Sequence, residues 1–137
     1  MIQEARGVVA REAPSPGSAA LEPLRALPGL VHACLLDEST GRVLAELGTD
    51  GGAARAVLEW GRRAGAVADE RRLSLEDLIV TSDTAYHLIR AIGESRSDGR
   101  WVYLLVDRER GNLALARRRL AAVTTVGARS STRPAVR

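Results

Sequence analysis

At 137 residues, 45% apolar and 27% charged, the chain is long enough for one globular domain and too short for two. Its 20 basic side chains are all arginine, which removes the Schiff-base amine and the phosphate-loop lysine and so excludes a P-loop nucleotide hydrolase. The pI of about 9.9 overstates its basicity: residues 18–125 hold 15 arginines against 15 acids, the other five arginines and two acids lying outside.

Residues 1–17 read as a flexible leader ending in "PSPGS", a Pro/Gly/Ser stretch that disfavours regular structure. Leu21, Leu24 and Leu27 then recur at threes and mark a short helix stopped by Pro28-Gly29. "LVHACLLD" (30–37) is continuously apolar, the pattern of a strand buried on both faces. "DESTGR" turns the chain into "RVLAEL" (42–47), where Val43, Ala45 and Leu47 alternate with Arg42, Leu44 and Glu46. A long helix follows over 49–70, with Thr49 or Asp50 as cap and a small-residue face of Ala53, Ala54, Val57, Leu58, Gly61, Ala64, Gly65 and Ala68. Each glycine in it costs about 1 kcal/mol relative to alanine, and close approach of another backbone is the expected compensation.

"SLEDLIVTS" (74–82) predicts an edge strand, with Glu76 and Asp77 guarding the edge ahead of Leu78 and Val80. "AYHLIRAIG" (85–93) follows a tight "SDT" connection, "ESRSDG" forms the next turn, and "RWVYLLVD" (100–107) is a second continuously apolar strand. The last helix covers 111–123, capped by Asn112, with Leu113, Ala116, Leu120 and Val123 as its stripe. Residues 126–137, with Arg129, Arg133 and Arg137 and no acid, read as a basic flexible tail, which leaves 18–125 as the domain.

The order helix, two strands, helix, three strands, helix defines an α+β single-domain α/β/α sandwich. Short turns make sequential strands antiparallel. The two apolar strands belong in the middle and the two alternating strands at the edges, so the five-stranded sheet takes the order 2-1-5-4-3. Strands apolar on both faces need helices on both faces.

Chemistry is sparse. Ser82, Asp83 and His87 fall within six positions, but no glycine elbow flanks the serine, and Ser-Asp is what a hairpin connection needs. His32 and Cys34 share a strand face, with His87 two strands away, which is poor spacing for zinc. "ARRRL" (116–120) is read as a solvated helix face. No catalytic residues, metal or cofactor are therefore expected, and the chain is read as a non-enzyme. The four aromatics, Trp60, Tyr86, Trp101 and Tyr103, form no row on which bases could stack. No apolar run approaches the roughly 20 residues of a membrane span, and the N-terminus lacks the pattern of a signal peptide. A cytoplasmic protein is expected.

"LRALPGLVHACLLDESTGRVLAELG" (24–48), the small-residue helix, "DLIVTSDTAYHLIRAI" (77–92) and "WVYLLVDRERGNLALARRRLAAV" (101–123) together resemble the roadblock family, also called the dynein light chain roadblock family. Three features carry the likeness over residues 20–124: a short helix ending in Pro-Gly before an apolar strand, a D-x-x-x-G turn, and Asn-Leu opening the last helix. The resemblance implies a non-catalytic C2 homodimer in which the middle helices pack antiparallel and the third strands meet edge to edge. Ala53, Val57, Gly61, Ala64, Gly65, Ala68, Leu78 and Val80 would form that interface. It also implies an adaptor that binds a small Ras-like GTPase and modulates its GTP hydrolysis or localisation. The alternative is a ligand-sensing or scaffold domain partnering a sensor kinase or transcriptional regulator.

Overall fold

Leucines spaced by threes suit a 3-10 turn as well as a helix, and both occur. The structure, a computed structural model, describes residues 16–48, 53–92 and 99–131, with the side chains of 19–125 within them. Helix α1 spans Pro16–Leu21 and a 3-10 turn follows over Glu22–Leu24. α1 begins inside the stretch expected to be leader, because a proline at the first helical position lacks only an N–H that would have no partner there. The rest of the leader, the caps Thr49 and Asp50, the turn at 94–98 and residues 132–137 lie outside the described residues.

Strands β1 (Leu30–Asp37), β2 (Val43–Gly48), β3 (Leu78–Thr81), β4 (Ala85–Ala91) and β5 (Arg100–Asp107) form one antiparallel sheet in the order β2-β1-β5-β4-β3. The two continuously apolar strands are its centre, as hydrophobic patterning requires. Helix α2 (Ala53–Glu70) covers one face and α1 with α3 (Leu113–Ser131) the other. On the α1/α3 face, Leu21, Leu24, Ala33, Leu35, Leu88, Leu104, Val106, Ala116 and Leu120 close the larger core. On the α2 face, Cys34, Leu36, Ile89, Trp101 and Tyr103 meet Ala54, Val57 and Leu58.

Two turns repeat one solution. After β1 and after β5 the chain reads Asp-x-x-x-Gly, and Gly41 N–H and Gly111 N–H donate to the carbonyls of Asp37 and Asp107, both at 2.8 Å. The Asp37 carboxylate accepts the hydroxyls of Thr40 (3.0 Å) and Ser39 (3.1 Å), which hold it below the ordinary carboxylate range. Asn112 caps α3 as expected, its Oδ1 accepting the Leu115 N–H at 3.0 Å.

Two boundaries and two side-chain placements differ from the pattern reading. α3 runs to Ser131 rather than stopping at 123. Thr124 and Thr125, which lower helix propensity when their hydroxyls compete with the backbone, here bond back to the Leu120 and Ala121 carbonyls and stay within the helix. β3 holds only Leu78–Thr81, so the stretch from 74 to 77 carries no ladder. Asp77 is not an edge guard: it is drawn to the α3 face by Arg90 of β4 (3.7 Å) and Arg117 of α3 (3.1 Å). Finally, Val43 is 41% exposed instead of aligning with Ala45 and Leu47. The β1–β2 register shifts between Leu35 and Leu36, and this bulge at Leu44 moves Val43 to the face of Leu36.

The Asp77 site joins β4, α3 and the 73–77 segment. Its side chain is 13% exposed and that of Arg90 23%, and Arg90 Nε also donates to the buried Thr124 hydroxyl at 3.1 Å. Asp77→Ala would leave a largely buried guanidinium without its carboxylate. A loss of about 2 kcal/mol is expected, read as a drop in melting temperature of roughly 5–10 °C. Arg118→Ala, on the exposed side of α3, should leave it unchanged.

Candidate interaction surface

The serine, aspartate and histidine of the β3–β4 hairpin do not meet. Ser82 Oγ accepts the N–H groups of Ala85 (3.1 Å) and Thr84 (3.3 Å), and Ser82 N–H donates to the Ala85 carbonyl at 2.8 Å. That is a turn-closing serine. His87 is engaged elsewhere, its Nδ1 3.0 Å from the Tyr103 hydroxyl. His32 is separated from His87 by β5 and pairs through Nε2 with Glu46 Oε1 at 3.0 Å. The His32 Nδ1 is buried with no hydrogen-bond partner among the described residues. Among the described residues no group of three or more His, Cys, Asp or Glu side chains gathers to hold a metal. None of their helices is long and apolar enough to cross a membrane.

What stands out instead is α2, which carries two apolar stripes. Ala54, Val57, Leu58, Gly61 and Gly65 are buried against the chain's own sheet. Gly61 has its reason there: a Cβ would come within 3.2 Å of the Trp101 ring, so the missing side chain makes room for an indole. Within one subunit the close neighbour of Gly61 is thus an aromatic ring rather than another backbone. Val57, Gly61 and Gly65 are thus occupied within one subunit, while Ala64 and Ala68 are half-buried at the margin.

The second stripe is Ala53, Ala56, Trp60, Ala64 and Val67, spaced by three, four, four and three, which keeps it on one flank of the helix. Trp60 is 37% and Val67 56% exposed. Trp60 rests edge-on against His87, ring centroids 5.4 Å apart at 86°. Beyond the helix, Leu73 is 61% exposed. It is held there by a left-handed helix cap in which Arg72 takes φ 58°, Leu73 N–H donates to the Ala68 carbonyl (2.9 Å) and Arg72 N–H to that of Asp69 (3.0 Å). Sequence inspection missed Ala56, Trp60, Val67 and Leu73. The usable signal was the three-four spacing of Ala53, Ala56, Trp60, Ala64 and Val67, which overlaps the buried stripe.

Through Trp60 the flank meets His87 of β4, which pairs with Val80 of the edge strand β3, where Leu78, Ile79 and Val80 are half-buried. The two edges differ. β2 bears the bulge at Leu44, a device that bends an edge away from pairing. β3 pairs with β4 in unbroken register and carries no such guard.

No family model and no curated protein matches the sequence. Solved structures do share the fold. A Roadblock/LC7 domain from Streptomyces avermitilis is 20% identical, with a TM-score of 0.58 over 77% of this chain and 88% of that one. MglB in a tetrameric arrangement is 19% identical, with a TM-score of 0.67 over 81% and 84%. The gliding protein MglB from Thermus thermophilus is 17% identical, with a TM-score of 0.66 over 84% and 90%. The fold is that of the roadblock domains.

Proposed function

We propose that the chain is a non-catalytic, cytoplasmic regulator that works as a C2 homodimer and binds a small Ras-like GTPase, modulating its GTP hydrolysis or localisation. The observation that carries the reading is the exposed apolar flank of α2, which meets β4 one strand from a sheet edge that carries no bulge. A second copy related by a two-fold axis covers both at once, helix against helix and β3 against β3. Ala53, Ala64 and Ala68 remain in the proposed interface with Leu78 and Val80, and Ala56, Trp60 and Val67 join them. Val57, Gly61 and Gly65 support the helix from beneath.

Similarity of fold to two MglB structures and to a Roadblock/LC7 domain supports the regulator class. Any effect on hydrolysis would come from positioning the GTPase's own groups, because the serine and histidines of this chain are committed to a turn and to packing. The alternative, a scaffold for a sensor kinase or transcriptional regulator, has no particular observation in its favour.

The test has two stages. Sedimentation equilibrium of the full chain at tens of micromolar should give a dimer. The chain should then form a complex with a small Ras-like GTPase encoded beside it and change that enzyme's rate of GTP hydrolysis. A dimer that neither binds nor affects such a GTPase would overturn the partner and leave the assembly intact.

A further inference from the structure

Behind Trp60 of the proposed interface stand His87 and Tyr103, to which the function just proposed gives no part. His87 projects from β4 on the α2 face, opposite Val80 of β3 in register. Its ring lies parallel to that of Tyr103, centroids 6.0 Å apart and planes 7° from each other, and meets the edge of Trp60. His87 Nδ1 lies 3.0 Å from the Tyr103 hydroxyl, which donates to it in the neutral tautomer that carries its proton on Nε2. In that tautomer a second proton goes onto Nδ1. It reverses that hydrogen bond and places a cation between two aromatic rings at the margin of an apolar flank.

The charged and ionisable groups around this ring are otherwise engaged. On β5 the neighbour is Tyr103 itself. Beyond it on β1 lies His32, whose ring is 5.8 Å from that of Tyr103 and whose Nε2 faces Glu46 of β2. On α2, Glu59 is tied to Arg63 at 3.0 Å, and Arg62 donates to the Glu38 carbonyl. On β4, Arg90 is bound to Asp77 and Thr124 on the opposite face of the sheet. The residues of β3 are Leu78, Ile79, Val80 and Thr81, none of them charged. No carboxylate ion-paired with His87 is found among the described residues to offset a charge there.

We propose that acid weakens the dimer through His87, a proton on the ring opposing burial of the Trp60–His87 corner beneath the second copy. The inference rests on the dimer reading and adds its regulation. Burial already holds the His87 imidazole below the ordinary histidine range, and covering by a second subunit removes further water. The sign follows from linkage. Well above the monomer's own His87 pKa, itself below the ordinary histidine value, both states are neutral and pH has no effect. As pH falls below it, the monomer takes up the proton more readily than the dimer, so dissociation is favoured. Each subunit contributes one such group, and the limiting effect is about tenfold per subunit per pH unit until the dimer's own histidine protonates.

The dissociation constant of the full chain, measured by sedimentation equilibrium, should therefore rise several-fold or more as pH falls from 7.5 to about 5, the steepest rise lying below the monomer's lowered pKa. In His87→Asn, whose amide oxygen can still accept the Tyr103 hydroxyl, the constant should barely change across that range. Glu46→Gln, which perturbs the His32 pair instead, should keep the parent's pH dependence. Independently of any variant, the NMR titration of His87 in the full chain should move to lower pH as protein concentration rises. A dimer of constant affinity across the range would overturn the proposal, as would a His87→Asn protein with the parent's slope or a concentration-independent titration. A chain that is monomeric at every pH would instead remove the dimer reading, and the switch with it.

Discussion

Gly29→Ala is expected to cost about 3 kcal/mol, combining backbone strain with overpacking, and to lower the melting temperature by roughly 10 °C or more. Gly29 takes φ +77°, where an L side chain crowds its own carbonyl. An added Cβ would also lie 2.8 Å from the Gly111 nitrogen and 2.9 Å from its Cα, both backbone atoms that cannot swing aside. Gly29 O meanwhile accepts the Asp107 N–H at 2.8 Å, so the turn cannot simply retreat. Gly111 is equally confined, a Cβ there running into the Val106 side chain and the Asp107 carbonyl. The Pro-Gly before β1 and the D-x-x-x-G turn after β5 are therefore two halves of one contact, glycine on glycine. Thermal denaturation checks this directly. Glu109→Ala, exposed in the same turn, should leave the melting temperature within about a degree, as isolated surface changes do.

Trp60→Glu should weaken self-association at least a hundredfold while leaving the subunit folded. A tryptophan near the centre of an interface commonly contributes about 2 kcal/mol or more on truncation. A two-fold axis counts the change twice, and the introduced carboxylate adds the cost of burying a charge. The subunit should tolerate it, because Trp60 is only partly covered and its described ring contact is the edgewise one with His87. Sedimentation equilibrium would show a monomer with an unchanged far-ultraviolet spectrum. Equal affinity in the variant would mean that the second copy, if it binds, does so elsewhere. Gly61→Leu would be a poor probe of the same interface: with Trp101 directly beneath, it should unfold the subunit before it reports on any neighbour.

Trp60 also shows why part of the surface was hard to read from residues alone. Hydrophobic spacing says that a helix has an apolar face, not what covers it. On α2 two stripes overlap, and an alanine at 53 or 64 fits either. Only the placement of Trp101 under Gly61 separates the stripe that closes the core from the one left open. The same limit hid the role of Asp77, whose partners Arg90 and Arg117 lie 13 and 40 residues away in sequence. It also hid the exposure of Val43, which depends on a bulge that local alternation cannot report.

What the sequence by itself determined is the order of the sheet, the hairpin at Ser82, the Asn112 cap and the absence of a lysine-based chemistry. Each follows from rules that act over a few residues: a strand apolar on both faces must be central, a short hydroxyl or amide side chain satisfies the nearest free backbone N–H, and composition is local by definition. The tertiary structure alone decided which face of α2 is spent on the core, which edge of the sheet is guarded, and which charges meet. Those outcomes depend on contacts between residues far apart in the chain, where packing and register select among alternatives that one-dimensional periodicity leaves equivalent.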